Sequence, residues 1–209
     1  RLGSLEPMFL TPEFIEEIKN LPKLCPHFHI SLQSGCAKTL ERMNRKYTPD
    51  DYRQIVSLMR EKIPDVTFTT DVMVGFPGET DEEFSQSYDF CKEMGFLWIH
   101  VFKYSPRKGT AAARFPDQVQ PAIKERRSKQ LIELANRMRN NVFEQFLGRQ
   151  ADVILEKEIE GSSDMEGLTA NYIPVAVKVE NANSGEIISV ILDSIEGESM
   201  RGKPSFVTV

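Results

Sequence analysis

Four short stretches of the 209-residue sequence combine polar side chains with turn-forming residues. They are Ser4-Leu5-Glu6-Pro7, Gln33-Ser34-Gly35, Gly75-Phe76-Pro77-Gly78-Glu79-Thr80 and Tyr104-Ser105-Pro106-Arg107-Lys108-Gly109-Thr110. Gln33 and Ser34 offer an amide and a hydroxyl that either orient a ribose or amino-acid moiety or cap the following helix. Gly75 and Gly78 allow a planar ligand close to the backbone, or serve a plain turn, and the helix start at Thr80 favours a polar or anionic neighbour. GFPGET is not a Walker A loop, because the Gly-Lys-Ser/Thr ending is missing. Arg45 could face a carboxylate with its two-pronged guanidinium, whereas Lys46 reads as solvated.

Other chemistries find little support. His27, His29 and His100 have no metal-ligand spacing and read as core or flanking residues. No Ser/His/Asp triad or catalytic acid pair is legible. Cys25, Cys36 and Cys91 are an odd number with long, irregular spacings, which indicates neither a disulfide framework nor a CxxC-type metal site, so all three are expected as thiols.

The elements that must position the four stretches follow from apolar periodicity. Phe28 to Leu32, Val66 to Val74 and Leu97 to Tyr104 are short, β-branched or aromatic runs between helical segments, the pattern of buried parallel strands. Three helix starts, at Thr11-Pro12, Thr48-Pro49-Asp50-Asp51 and Thr80-Asp81-Glu82-Glu83, pair a capping threonine with Pro or acids that suit the helix dipole. Strand starts recur about every 35 residues, as successive βα units require. In such architectures ligands gather where strands end and helices begin, which is where the four stretches lie.

Pro121 to about Phe146 reads as a long amphipathic helix. Its run Lys124-Glu125-Arg126-Arg127-Ser128-Lys129, with Arg137 and Arg139, is either a solvated basic side or a grip on a phosphate backbone. Beyond Gly148 the texture changes: Ala151–Glu156, Pro174–Val179 and Ile187–Leu192 are strand candidates separated by Gly, Ser and Asn, which predicts an all-β module of about 60 residues. A boundary near Leu147-Gly148 divides a 1–147 domain from a 148–209 domain.

A composition of 40% hydrophobic and 27% charged residues is that of a globular protein without a membrane span. Net charge −5 argues against wholesale coating of nucleic acid, although a local basic face remains compatible with binding it. Residues 1–30 lack the order of a signal peptide, so the expected location is cytoplasmic. Arg1 to Leu5 looks like a strand already under way, and the expectation is a fragment of something longer.

In order and spacing, HFHISLQSGC, LERMNRKYT, TTDVMVGFPGET and FKYSPRKGTAAA resemble the latter half of the radical S-adenosylmethionine (SAM) core of the methylthiotransferases. The part after Gly148 resembles their TRAM domain, an OB-like RNA-binding barrel. The resemblance implies an α/β fold: the C-terminal half of an open β/α barrel with parallel strands, followed by that small barrel. It also implies a cofactor site built from Gln33, Ser34, Arg45, Asp71, Gly75, Phe76, Tyr104, Ser105 and Pro106, and RNA contacts from Lys124, Arg126, Arg127 and Arg137. RLGSLEP and LCPHFHISLQSG look most like the branch that methylthiolates N6-threonylcarbamoyladenosine beside the tRNA anticodon. Sister branches act on isopentenyladenosine in tRNA or on an aspartate of a ribosomal protein.

In that family a CxxxCxxC loop holds a 4Fe-4S cluster that cleaves SAM to a 5′-deoxyadenosyl radical, and a further domain carries a second 4Fe-4S cluster. An electron donor and a sulfur source are required as well. No two cysteines here lie close enough to form that loop, so the chain by itself is expected to be inactive. The start of the β module is acidic, with Asp152, Glu156, Glu158, Glu160, Asp164 and Glu166, which counts against tRNA. A non-catalytic RNA-binding protein is the alternative from another class.

Overall fold

The structure is a computed structural model that describes residues 1–179 and 182–205. It divides into two compact units, one of residues 1–24 and 28–139, the other of residues 25–27 and those from Asn140 onward.

The first unit is a layer of helices on a four-stranded sheet. The strands β1 (Leu2–Leu5), β2 (His27–Ile30), β3 (Thr67–Val74) and β4 (Trp98–Lys103) lie side by side in sequence order. β1 pairs with β2, and β3 with β4, in parallel. Between them run α1 (Pro12–Ile18), α2 (Ala37–Arg42), α3 (Pro49–Lys62) and α4 (Asp81–Met94). The threonine starts are realised as read: Thr11 Oγ1 accepts the Phe14 N–H, and Thr48 and Thr80 form capping boxes with Asp51 and Glu83. Gly95 closes α4 in the left-handed conformation, at φ +60°.

Strand alternation separates two faces. Phe28 and Ile30 of β2, with Phe68, Val72 and Val74 of β3, enter a core completed by Tyr52, Val56, Met59, Phe90, Met94 and Phe96. The strands are also tied through side chains: Thr70 Oγ1 donates to Ile30 O at 2.6 Å and accepts the Leu32 N–H at 3.0 Å, while Tyr52 Oη donates to Ile30 O at 2.9 Å. The intervening positions, His29, Thr69, Asp71, Met73, His100 and Phe102, fall on the other face. That face carries the polar residues.

α5 (Pro121–Glu144) supplies Leu131, Leu134 and Met138 to the same core. In the second unit β5 (Gln150–Glu158), β6 (Asp164–Thr169), β7 (Pro174–Lys178), β8 (Ile187–Glu196) and β9 (Ser199–Pro204) close into a barrel of order β5-β6-β7-β9-β8. All its pairings are antiparallel except β7 with β9. Val153, Leu155, Val175, Val177, Val190, Leu192 and Met200 fill it. Gly167 has a steric reason to be glycine, since a Cβ there would lie 2.3 Å from Ile154 O.

Three elements escaped the sequence reading. α2 has six residues and no side-chain cap at Cys36. β6 (DMEGLT) and β9 (SMRGKP) mix charge and glycine, and they are held by pairing with β5 and β7 and with β7 and β8 respectively.

Candidate cofactor-binding site

β3 stops at Val74 and the chain turns through Gly75 and Gly78, at φ +72° and +77°. Both need the left-handed region that glycine enters without cost. The turn is held from behind. Glu79 Oε2 accepts the Gly75 N–H at 2.8 Å, and the buried Arg127 donates to Glu79 O at 3.1 Å, to Glu79 Oε1 at 3.0 Å and to Asp81 Oδ1 at 2.9 Å. Burial raises the Glu79 carboxyl above its ordinary range, with Arg127 and the Gly75 N–H opposing. Phe76 is buried, edge-on to Tyr104 at 5.2 Å and to Phe115 at 6.3 Å. Tyr104 leaves the sheet through an N–H bond to Val74 O of 2.9 Å.

At the end of β2, Gln33 takes φ +64°. Its N–H donates to Asp71 O at 2.8 Å and its carbonyl accepts the Met73 N–H at 2.9 Å, which brings the residue beside β3. Ser34 is turned inward, where its Oγ accepts the Cys36 N–H at 3.2 Å. Gly35 packs so closely that a Cβ would stand 2.5 Å from Phe90 Cβ.

These loops surround an open cavity of about 440 Å³ at the ends of β2, β3 and β4. Gln33, Asp71, Tyr104 and Ser105 line it, together with Met73, Phe102, Lys103, Arg107, Thr110 and Ala112. Met73 stands two residues after Asp71, so strand alternation was the signal that would have found it. Gly75 and Phe76 support the wall without lining it. Ser34 braces its own loop through the Cys36 N–H without capping α2, and Arg45 pairs with Glu6 at 2.8 Å instead of reaching the cavity. Pro106 is exposed outside the lining.

The basic helix is corrected in two places. Arg127 is only 2% exposed and belongs to the turn, so it offers nothing to RNA. Lys124 Nζ donates to Tyr104 O at 2.9 Å and lies over the Tyr104 ring. A run of basic residues cannot say which members face inward; helical spacing does. Arg126, Gln130, Glu133 and Arg137 recur on one side of α5 and, with Asp81, Phe84, Ser85 and Tyr88, line a groove of about 620 Å³. There Arg126 pairs with Asp81 at 2.9 Å and Arg137 donates to Tyr88 Oη at 2.8 Å.

The structure also gathers what spacing had separated. His29, Asp71 and His100, on three adjacent strands, place one donor atom each within 4.8 Å of one another. His29 Nε2 lies 3.3 Å from Asp71 Oδ2 and His29 Nδ1 lies 3.0 Å from Thr69 Oγ1.

The description of the Radical SAM superfamily matches residues 4–91. Over those residues the chain is similar to that superfamily. A tRNA-2-methylthio-N(6)-dimethylallyladenosine synthase of Acetivibrio thermocellus is 34% identical over 203 residues, which is 97% of this chain and 42% of that protein. The threonylcarbamoyladenosine tRNA methylthiotransferase MtaB of Bacillus subtilis is 38% identical over 193 residues, 91% of this chain and 43% of that protein. MtaB of Thermotoga maritima is 35% identical over 202 residues, 96% and 45% respectively. The chain therefore spans less than half the length of these curated relatives.

The similarity to the superfamily implies SAM and an iron-sulfur cluster. The cavity fits SAM: its volume is that of a small-molecule site, its wall is partly aromatic, and the Tyr104 hydroxyl is buried without a partner among the described residues. The cysteines do not fit a cluster. Cys36 and Cys91 are buried, Cys25 is half-buried, all three are free thiols, and no group of three potential ligands among the described residues contains one. No described helix is long and apolar enough to cross a membrane.

Proposed function

We propose that this chain is the SAM-binding and RNA-binding part of an enzyme that places a methylthio group on C2 of N6-threonylcarbamoyladenosine in tRNA, beside the anticodon. In this reading the first unit is the partial barrel and the barrel of β5 to β9 is TRAM-like and RNA-binding. The observation that carries the reading is the cavity at the strand ends, in a chain matched over more than nine-tenths of its length by tRNA methylthiotransferases. When bound, SAM supplies the radical that activates C2 and the methyl group that is transferred.

Gln33 and Asp71 offer amide and carboxylate groups for the ribose and amino-acid end of the cofactor, and Tyr104 and Ser105 bound the adenine side. Gly75 and Phe76 shape the turn behind Tyr104, and the Glu79–Arg127 pair holds that turn rigid. The clusters, the electron donor and the sulfur source are supplied from outside this chain. Arg126 and Arg137, on the open groove of α5, contact tRNA phosphates.

A second reading, dimethylallyladenosine as the target, is favoured by one observation: relatives named for that nucleoside match about as well as those named MtaB. Calorimetric titration of the intact protein with S-adenosylhomocysteine tests the cofactor site. Gln33→Ala and Tyr104→Phe are expected to weaken binding by about 3–10-fold, the worth of a hydrogen bond, while Pro106→Ala changes nothing. Equal affinities in all four proteins would remove the site from this cavity.

A further inference from the structure

We infer that His29, Asp71 and His100 form a binding site for a divalent first-row transition-metal ion on the polar face of the sheet. The site shares Asp71 with the cavity proposed for SAM, so the metal is titrated without that ligand. Three features point to a metal.

The donor set is two imidazoles and one carboxylate, which suits Zn²⁺, Fe²⁺ or Co²⁺ and leaves coordination positions for water or a ligand. The ligands come from three adjacent strands of a sheet, so the backbone fixes their separation. Asp71 and His100 are direct partners in the β3–β4 register, and His29 is on β2. The 3.3 Å between His29 Nε2 and Asp71 Oδ2 matches two ligands on one ion, since bonds of about 2.1 Å at tetrahedral angles set ligand atoms about 3.4 Å apart. His100 is exposed, its ring centroid is 5.9 Å from that of His29, and its donor lies within the 4.8 Å that encloses all three.

His29 is also held from its other ring nitrogen. Thr69, on the same face of β3 as Asp71, holds His29 Nδ1 at 3.0 Å and orients the ring with Nε2 toward Asp71. If Nδ1 carries the proton, Nε2 presents a lone pair to a carboxylate, an arrangement that requires a cation between them. If Nε2 carries it instead, His29 and Asp71 form a neutral-donor hydrogen bond and need no third group. The convergence of His100 on the same point favours the metal, because a proton uses two ligands and a metal uses three or more.

Cobalt titration of the metal-free chain separates the two. The expected result is one saturable equivalent of Co²⁺ with visible d–d absorption and no near-ultraviolet thiolate band, displaced by Zn²⁺. His29→Ala, Asp71→Asn and His100→Ala should each weaken binding by more than about 100-fold, and Thr69→Val by about 10-fold, as loss of an outer partner does. His100→Ala is the decisive variant: its side chain is exposed, so the fold survives, as Trp98 fluorescence and circular dichroism would verify. Absence of saturable binding, a thiolate band that moves the site to a cysteine, or binding unchanged in His100→Ala would each overturn the inference.

Discussion

Arg127→Ala is the substitution that most sharply separates a structural from an RNA-binding arginine. Its side chain is 3% exposed and that of Glu79 is 5% exposed, so truncation leaves a buried carboxylate held by the backbone N–H groups of Gly75 and Phe76 without a counter-charge. Removing one member of a buried pair costs about 3–5 kcal/mol, because the abandoned charge keeps its desolvation penalty. With a urea m-value of about 2 kcal/mol/M, the unfolding midpoint should fall by about 1.5–2.5 M. The lone tryptophan, Trp98, sits in β4 of the same unit, so its fluorescence follows the affected part directly. Arg126→Ala, one position away and exposed, is the control and should shift the midpoint by less than about 0.25 M. The double variant Glu79→Leu with Arg127→Met replaces the pair with apolar groups and should recover most of the loss. Equal midpoints for Arg127→Ala and Arg126→Ala would refute the argument.

Further predictions concern charge, thiols and RNA. Glu83 is held below its ordinary carboxyl pKa of 4.5, chiefly by the Arg42 guanidinium and against the effect of burial. Its stabilisation is therefore complete above pH 4.5 and disappears as pH falls through the lower folded value. Glu83→Gln should cost about 1.5–3 kcal/mol at neutral pH, with the gap to the parent closing in acid denaturation curves; a gap constant down to pH 2 would contradict this. Burial pushes the Cys91 thiol up to about 12, and Cys36 is buried with its S–H donated to Gln86. Ellman's reagent at pH 8 should thus modify Cys25 quickly and the other two only after unfolding. Arg126→Ala and Arg137→Ala should each lower the salt slope of tRNA binding by about 0.7–0.9, one phosphate contact apiece, whereas slopes that match the parent would return α5 to a plain solvated face.

What the sequence disclosed was local. Thr11, Thr48 and Thr80 announce helices because a cap and its first turn are neighbours in the chain. The parallel strands were legible because apolar runs alternated with those helices. Side-chain direction at the strand ends was not. Ser34 and Arg45 stand at the right positions but are committed elsewhere, one to the Cys36 N–H and the other to Glu6. Arg127 looked like its neighbour Arg126, and only packing of α5 against the GFPGET turn separates buried from exposed. His29, Asp71 and His100 are far apart in sequence, and strand register alone brings them together. β6 and β9 were hidden for another reason, since their charged residues and glycines mask the apolar alternation of a strand and their stability comes from pairing with neighbouring barrel strands.

The most direct test of the proposed function is mass spectrometry of nucleosides from total tRNA, in cells with and without the gene that encodes this chain. The account predicts that deletion removes 2-methylthio-N6-threonylcarbamoyladenosine while its unmethylthiolated precursor accumulates, and that the gene carrying Tyr104→Ala fails to restore it. An unchanged level of that nucleoside after deletion, with or without loss of the dimethylallyl counterpart, would contradict it.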